Sequence, residues 1–385
     1  MPWREKGVME QRIELVIRAV QGREPISGLC REYGVSRPTG YLWVQRYRQA
    51  GSVQGLAERS RRPQHSPEQT SAEHEERVVE LRRRYGWGAK KLVVLLAREG
   101  VEMRVVTVNR ILKRRGLVVG EESHREATQR FEREAPNQLW QMDFKGPWEV
   151  AEGHGYPLSI LDDYSRYLVE LGALPGTGAE GVAGQLVRTF ERHGVPQGML
   201  MDHGTPWWST TNGHGLTWLS VGLIKQGIRL HFSGIRHPQT QGKVERLHRS
   251  LKHQIQRWGK PATLAASVQA LAAFREEYNQ VRPHEALGME VPAQRYHDSA
   301  QAYQAHPPEW IYEEGKVVKA LNSQGCLDYE QHRYFVCEAL AQERVCVDRI
   351  EGKLLVRYRQ TYIREIDILS GRTTAVVLPD TKSQV

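Results

Sequence analysis

The apolar residues of this chain change their spacing about a third of the way along, and that change limits the folds available to it. Up to about residue 118 they recur every three to four positions, as on the buried face of amphipathic helices. From about residue 139 they alternate in short stretches, which is typical of strands. The pattern predicts a helical front part followed by a part that contains sheet, and 385 residues suffice for two to four domains.

The first helical stretch has the plan of a helix-turn-helix. Helices are predicted over residues 9–21, over 26–33 and onward from residue 37. Gly34 ends the second helix, and Ser36 can cap the third, whose inner face is expected to carry Leu42, Trp43 and Tyr47. Two helices joined by a glycine-containing turn are a common DNA-binding unit.

The third helix is predicted to be the one that reads DNA. Its candidate contact residues are Arg37, Thr39, Tyr41, Gln45 and Arg48. The basic stretch that follows suits phosphate or minor-groove contacts, through Arg59, Arg61 and Arg62.

A second helical block follows. Helices are predicted over residues 76–85, 88–98 and 106–115. The last of them ends in a basic run, Lys113, Arg114 and Arg115. Two such modules in tandem can cover more than one turn of a DNA duplex.

The charge of the chain is concentrated at its front. Residues 1–137 contain 27 Lys and Arg against 18 Asp and Glu, whereas the remaining residues contain 27 of each. The whole excess of +9 therefore lies in the first third. This distribution is the one expected of a chain that holds a polyanion by its front end.

Composition excludes several classes of protein. With 39% hydrophobic and 26% charged residues, the chain is neither disordered nor membrane-spanning, and no stretch reads as a secretory signal. The four cysteines are too widely spaced for CxxC pairs, which favours buried, reduced thiols. We therefore expect a soluble protein of the bacterial cytoplasm, associated with the nucleoid and without a membrane partner.

Beyond a Glu- and Arg-rich stretch, the sequence predicts a mixed α/β sheet and then a small all-β barrel. Three short alternating stretches form a meander, and helices and strands then alternate as far as residue 279. The tail over residues 310–377 alternates throughout, with glycines at its turns. The predicted domains are residues 1–63, 66–118, 138–300 and 308–378, with a linker over 119–137.

Three carboxylates are placed where a mixed sheet brings them together. Asp143 lies in an otherwise uncharged strand, Asp202 follows the apolar strand GMLM, and Glu245 lies in the first turns of a long helix. Two divalent ions about 4 Å apart need such carboxylates, and can then activate a water or a 3′-hydroxyl against a phosphodiester. Lys252, two helical turns after Glu245, can hold the phosphate backbone beside them.

The motifs around these acids carry a resemblance. The segments NQLWQMDF, LDDYSRY, LMDHG, HPQTQGKVERLHRSLK and YNQVRPHEAL resemble the catalytic core of bacterial insertion-sequence transposases related to retroviral integrases. The resemblance extends over nearly the whole chain. It implies a ribonuclease-H-like core with an Asp-Asp-Glu site, in which Asp143, Asp202 and Glu245 are both catalytic and metal-binding.

The resemblance also implies a reaction and its partners. The enzyme is expected to bind the terminal inverted repeats of a mobile element, cleave there, and join the freed 3′-ends to target DNA. The expected cofactor is Mg²⁺, as two ions for which Mn²⁺ substitutes. Because two ends are joined in concert, the partners are double-stranded DNA and at least one further copy of the chain.

The sequence departs from the family pattern in two places, and it also leaves two alternative functions open. His203 follows the second acid where many relatives have Asn, and 43 residues separate Asp202 from Glu245, more than the mid-thirties usual in the family. The alternatives are a DNA-binding regulator with a silent core, and a nuclease that cuts without joining. Asp162 and Asp163 are rival metal ligands, although their position favours a role in a turn.

Overall fold

A computed structural model of the protein describes residues 7–58, 70–118, 132–209, 215–232 and 242–376. The chain divides into two units, residues 1–71 and 72–385. None of the described helices is both long and apolar enough to cross a membrane.

The first unit consists of three helices, α1 (Val8–Gln21), α2 (Ile26–Glu32) and α3 (Arg37–Ala50). The predicted cap is present, because the Ser36 hydroxyl accepts a hydrogen bond from the backbone N–H of Thr39. Trp43 and Val44 are buried against α1, but Leu42 is 43% exposed. The prediction that Leu42 faces inward is wrong, since the inner face of α3 passes through positions 40, 43, 44 and 47.

The second unit begins with three more helices, α4 (Ala72–Tyr85), α5 (Ala89–Arg98) and α6 (Val105–Arg114). They share one apolar core, in which Leu92, Leu96 and Val108 are fully buried. All three predicted helices are thus present.

A mixed sheet forms the centre of this unit. Its strands are β1 (Trp140–Phe144), β2 (Trp148–Val150), β3 (Gly153–Asp162), β4 (Leu168–Leu174), β5 (Gly198–Met201) and β8 (Arg229–Phe232). The order is β2-β3-β1-β5-β8, with β4 paired to β3. Strand β1 is antiparallel to β3 and parallel to β5, and β5 is parallel to β8, so the predicted mixed sheet is confirmed.

Helices cover the sheet. They are α7 (Ala179–His193), α9 (Gly242–Trp258) and α10 (Leu264–Glu276). Phe190 of α7 packs in one apolar core with Trp140 and Met199 of the sheet. Val244, Leu247, Leu251 and Ile255 of α9 are buried in another core, together with Leu168 and Leu171 of β4. The long helix that carries Glu245 is therefore held by one continuous apolar stripe.

Between β5 and β8 the chain forms β6 (Trp208–Ser209), β7 (Gly215–Leu216) and α8 (Trp218–Lys225). Strands β6 and β7 pair as a two-stranded ladder. This region supplies much of the extra length between Asp202 and Glu245.

The C-terminal part is all β, as predicted. Its strands are β9 (Val318–Ala320), β10 (Cys326–Tyr329), β11 (His332–Phe335), β12 (Arg344–Ile350), β13 (Lys353–Tyr358), β14 (Thr361–Asp367) and β15 (Thr373–Ala375). Five of them form an antiparallel sheet in the order β15-β14-β13-β12-β9, and β10 pairs with β11. Among the described residues no pairing joins β15 to β9, so the barrel stays a prediction.

Candidate active site

Asp143 lies on β1, between β3 and β5. Its side chain is 24% exposed. Burial is the largest cause that raises its pKa, to about 6; the nearby carboxylates of Asp202 and Glu245 raise it further, and a backbone hydrogen bond from Phe144 opposes them. The three acids are therefore close enough for their charges to act on one another around Asp143.

Asp202 directly follows β5, at the carboxyl end of that strand. One of its carboxylate oxygens, Oδ1, accepts hydrogen bonds from the indole Nε1 of Trp207 at 2.7 Å and from the backbone N–H of Gly204 at 3.1 Å. A side chain at position 204 would come within 3.0 Å of that carboxylate, so glycine leaves the approach open. These two donors fix the orientation of the acid.

Glu245 is exposed in the first turn of α9. The helix is anchored just before it by Lys243, whose ammonium lies 2.5 Å from a carboxylate oxygen of Asp163. Among the described residues no cation forms an ion pair with Glu245, so its carboxylate is available to a ligand.

The donor set fits a divalent cation in its chemistry. Carboxylate oxygens are the ligands that Mg²⁺ prefers, and a cation between the acids offsets the repulsion that raises the pKa of Asp143. In the part of the chain that the structure describes, no three His, Cys, Asp or Glu side chains lie close enough together to enclose an ion. The three acids are thus near one another, but their side chains do not converge on a single position.

His248 and Ser159 lie behind Asp143. Ser159 was not picked out from the sequence, and His248 was considered only as a possible DNA contact at the start of the Glu245 helix. The Ser159 hydroxyl donates to the backbone carbonyl of Asp143 at 3.0 Å, and His248 Nε2 lies 2.6 Å from that hydroxyl. His248 Nδ1 is 3.8 Å from the Asp143 carboxylate. Burial, and then Lys145, lower the pKa of His248 to about 4, so its ring is neutral at pH 7. The position of His248, three residues after Glu245 on one helix face, was an available signal.

Asp162 and Asp163 have structural partners. Asp162 accepts hydrogen bonds from Ser165 and from the backbone N–H of Asn137. Asp163 accepts from the Gln141 amide and pairs with Lys243. Both acids are fully buried with these donors around them. Their predicted role in the turn is confirmed, and neither is free to bind a metal.

A basic group lies beside the acids. Lys252 is exposed on α9. The pKa of Lys145 is lowered by burial first, and then by the positive charges of Lys252 and Lys260. Lys145 follows β1 and was not picked out from the sequence. These three lysines form a positively charged surface near Asp143 that suits a phosphate backbone.

The predicted recognition residues lie on α3. Four of them are exposed, namely Arg37, Tyr41, Gln45 and Arg48. The Thr39 hydroxyl instead lies 2.8 Å from the Ser36 hydroxyl at the helix cap. A groove of about 380 Å³ on this helix is lined by Tyr41, Val44, Gln45, Arg48 and Gln49.

The other predicted DNA-contact residues differ in their surroundings. Lys113 is exposed at the end of α6, whereas Arg114 and Arg115 form ion pairs with Glu75 and Glu76 of α4. The two arginine side chains stay 49% and 41% exposed in these pairs, so both guanidinium groups remain accessible from solvent. The last three predicted residues lie outside the described residues, namely Arg59, Arg61 and Arg62.

Family models match three stretches of the chain. A helix-turn-helix domain matches residues 11–64, a homeodomain-like domain matches residues 39–112, and an integrase core domain matches residues 226–292. The last stretch contains Glu245 and the whole of α9.

Similar proteins come from bacterial insertion elements. An uncharacterized 31.7 kDa protein of insertion element IS407 from Burkholderia multivorans is 27% identical over 243 residues, 60% of this chain and 82% of that protein. An uncharacterized 39.2 kDa protein of insertion element IS476 from Xanthomonas euvesicatoria is 26% identical over 164 residues, 41% of this chain and 44% of that protein.

The solved structures to which the chain is similar include retroviral integrase cores. The catalytic core domain of BIV integrase is 23% identical and has a TM-score of 0.32, over 41% of this chain and 92% of that one. The HTLV-2 integrase catalytic core domain, in complex with magnesium, is 14% identical and has a TM-score of 0.34, over 43% of this chain and 99% of that one. The family models and the insertion-element relatives confirm the resemblance drawn from the sequence: this chain joins helix-turn-helix domains to an integrase core domain and is related to proteins of bacterial insertion elements.

Proposed function

We propose that the protein is a DNA transposase of the Asp-Asp-Glu type, which cleaves the ends of a mobile element and transfers the 3′-ends into target DNA. The observation that carries this proposal is the placement of the three acids, with Asp143 on β1, Asp202 at the carboxyl end of the neighbouring β5 and Glu245 in the first turn of α9. Asp202 and Glu245 both raise the pKa of Asp143, and Glu245 lies in the stretch that the integrase core domain matches. Acids that come from two strand positions and a helix, and that repel one another, are the arrangement that two-metal phosphoryl transfer requires.

In this proposal Asp143, Asp202 and Glu245 hold two Mg²⁺ ions, for which Mn²⁺ substitutes. When bound, the ions supply a Lewis acid that activates the attacking hydroxyl and stabilises charge on the leaving oxygen. Trp207 and Gly204 orient Asp202 through their N–H groups. Lys252 neutralises the phosphate backbone next to the reacting bond.

The remaining parts of the chain would bring DNA to this site. We propose that the exposed face of α3, the basic stretch after it and the end of α6 bind the terminal inverted repeats. The proposal also includes the domain boundaries predicted from the sequence and the closure of the β module as a barrel. It further includes a location in the cytoplasm, on the nucleoid. Two element ends must be held together for joining, which implies at least a dimer.

The experiment tests chemistry directly. Labelled duplexes copied from inverted repeats flanking the gene are incubated with the protein and Mg²⁺, Mn²⁺ or EDTA, and cleaved and joined products are separated on a gel. Glu245→Gln is compared with Glu149→Gln, which changes an exposed acid on β2. Metal-dependent cleavage and joining by the wild type and Glu149→Gln, but not by Glu245→Gln, supports the proposal.

The other outcomes select the alternatives. Binding without product under both metals contradicts the transposase and favours a regulator with a silent core. Cleavage without joined product favours a nuclease.

A further inference from the structure

The second helical block packs against the catalytic core along a defined seam. Arg98 of α5 donates to the backbone carbonyl of Val281 at 2.9 Å, and Arg257 of α9 donates to the carbonyl of Arg84 at 2.6 Å. These contacts join residues that are more than 170 positions apart in the sequence. The seam therefore lies between α4–α5 on one side and, on the other, the end of α9 and the segment after α10.

Three cations meet in this seam, Lys91 of α5, Arg246 of α9 and Arg282, and we refer to them as the seam cluster. Each of Arg246 and Arg282 lowers the pKa of Lys91, so the three charges lie near one another. Arg282 donates to the Ser250 hydroxyl at 3.1 Å and lies over the Trp87 ring, 5.5 Å from its centre. Arg246 is exposed, which opens the cluster to solvent.

Two carboxylates act on these three charges, and each is shared with cations outside the cluster. Glu277 acts on Arg282 and also faces Arg84 and Arg257, and Glu285 acts on Lys91. The ammonium of Lys91 has no hydrogen-bond or ion-pair partner within the described ranges. Glu285 is the carboxylate that acts on it, and Glu285 already lies 3.5 Å from the ammonium of Lys90. Burial, and then the two arginines, hold the pKa of Lys91 down at about 7. A largely buried ammonium beside other cations is unfavourable until an anion joins them.

Neutral polar groups at the seam also lack partners. The indole Nε1 of Trp87, stacked between Tyr85 and Arg282, is buried with no hydrogen-bond acceptor among the described residues. His284 Nε2 is also buried and has no hydrogen-bond partner among the described residues. Buried N–H groups without acceptors, next to cations, favour an anion as their partner.

We propose that the seam cluster binds a phosphate of the DNA backbone, on the strand that runs between the second helical block and the acids. Three observations select a backbone phosphate. Arg246 directly follows Glu245 on α9, so the cluster begins one residue from the candidate active site. Lys91 belongs to a block that the homeodomain-like model matches. The exposed Arg246 leaves room for a chain that continues on both sides. The proposal rests on the proposed function, because it assumes that DNA occupies the acids.

The test measures binding in EDTA, so it does not depend on chemistry. Full-length protein is titrated against a fluorescein-labelled 30-bp random-sequence duplex over a range of salt. Lys91→Met is expected to lower affinity about tenfold at low salt and to reduce the slope of log K against log [salt] by about one. Lys91→Arg, which keeps the charge, should bind like the wild type.

A matched control separates this role from a structural one. Lys225, also partly buried, has a carboxylate partner, Glu343, at 2.6 Å. Lys225→Met should lower the melting temperature of the DNA-free protein and leave the salt slope unchanged. Lys91→Met should leave that melting temperature unchanged or raise it, because it removes an unpaired charge.

Four results would overturn the proposal. They are equal affinity and equal salt slope for Lys91→Met and the wild type, a lowered melting temperature for Lys91→Met without DNA, no binding of the duplex by the wild type, and stabilisation of the wild type by 10 mM inorganic phosphate as large as that by the duplex. The last result would indicate a site for small anions. Loss of cleavage in the gel assay with the binding difference intact would instead contradict only the proposed function.

Discussion

The indole of Trp207 and the carboxylate of Asp202 are joined by a hydrogen bond of 2.7 Å from Nε1 to Oδ1, and the same N–H lies 3.0 Å from the backbone carbonyl of Asp202. Trp207 is itself fully buried and stacks on Phe144, the neighbour of Asp143. One aromatic ring therefore links Phe144 of β1, next to Asp143, to Asp202, the residue that follows β5. The orientation of Asp202 depends on packing as well as on its own strand.

Trp207→Phe should lower cleavage by about tenfold to a hundredfold while end binding stays within about twofold, because groups that orient a ligand affect the metal site and not DNA recognition. Phenylalanine keeps the contact with Phe144 but lacks the N–H. The measurement is cleavage rate against Mg²⁺ concentration, with Trp208→Phe as the control, since Trp208 packs on His203 and Phe232. Equal loss in both variants would assign the effect to packing alone.

Asp143→Asn, Asp202→Asn and Glu245→Gln should each abolish cleavage and joining and leave end binding intact. The amides keep the shape of the acids but remove the charge that a divalent cation needs. Gel assays measure the cleaved and joined products, and fluorescence anisotropy measures binding to the element ends. Retained cleavage in any variant removes that residue from the proposed site.

Lys252→Ala should weaken duplex binding most at low salt and reduce the salt slope by about one, because it removes one phosphate contact. Lys252 is exposed, so the melting temperature should not change. Lys225→Ala serves as the control, since Lys225 pairs with Glu343. Salt slopes that coincide for the wild type and Lys252→Ala would argue against the contact.

Asn279→Ala should destabilise the protein by about 2–3 kcal/mol, because buried backbone groups would lose their partner. The Asn279 amide accepts from the N–H of Leu168 at 2.8 Å and donates to its carbonyl at 3.0 Å. Urea unfolding measures the change, with the exposed neighbour Gln280→Ala as the control. A similar small effect for both variants would show that the two bonds contribute little.

The sequence predicted these elements unevenly, for physical reasons. Strand β5 was placed at its observed bounds, since GMLM is a short buried run after Pro196, Gln197 and before a polar turn. Helix α3 was predicted from its cap, but Leu42 was placed inward because apolar character was taken as burial. The ladder of β6 and β7 was not predicted, because two-residue strands leave no alternation to read.

The candidate site was predictable in its acids and not in their neighbours. Asp143, Asp202 and Glu245 lie at recognisable positions on their elements and within motifs. The contact of Ser159 with His248 joins residues 89 positions apart, and only the register of β3 against β1 and the docking of α9 bring them together. The seam cluster was not predicted for the same reason, because no local sequence pattern relates Lys91 to Arg282.

His284→Asn should make the protein less sensitive to acid. Burial, then Arg282 and Lys91, lower the pKa of His284 from 6.5 to about 3. The folded state therefore binds fewer protons than the unfolded state between these values, so stability is full above pH 6.5 and falls as the pH drops toward 3. At pH 5 this histidine costs about 2 kcal/mol relative to pH 7.

Urea unfolding at pH 7 and pH 5 checks this expectation. The wild type should lose about 2 kcal/mol more than His284→Asn over that interval. Parallel losses in the two proteins would mean that His284 does not titrate on unfolding.

Helix α9 carries Glu245 in its first turn and Arg257 in its last, and Arg257 holds the carbonyl end of α4. The two residues are twelve positions apart, about 18 Å along a helix, which is the rise of about five base pairs of duplex DNA. One rigid rod thus sets the interval between the helical block and the acid. If the protein cuts DNA beside Glu245, as proposed, the length of α9 sets how far the cut lies from the helical block. One added turn of α9 equals the rise of between one and two base pairs, which is the displacement of the cut that we expect.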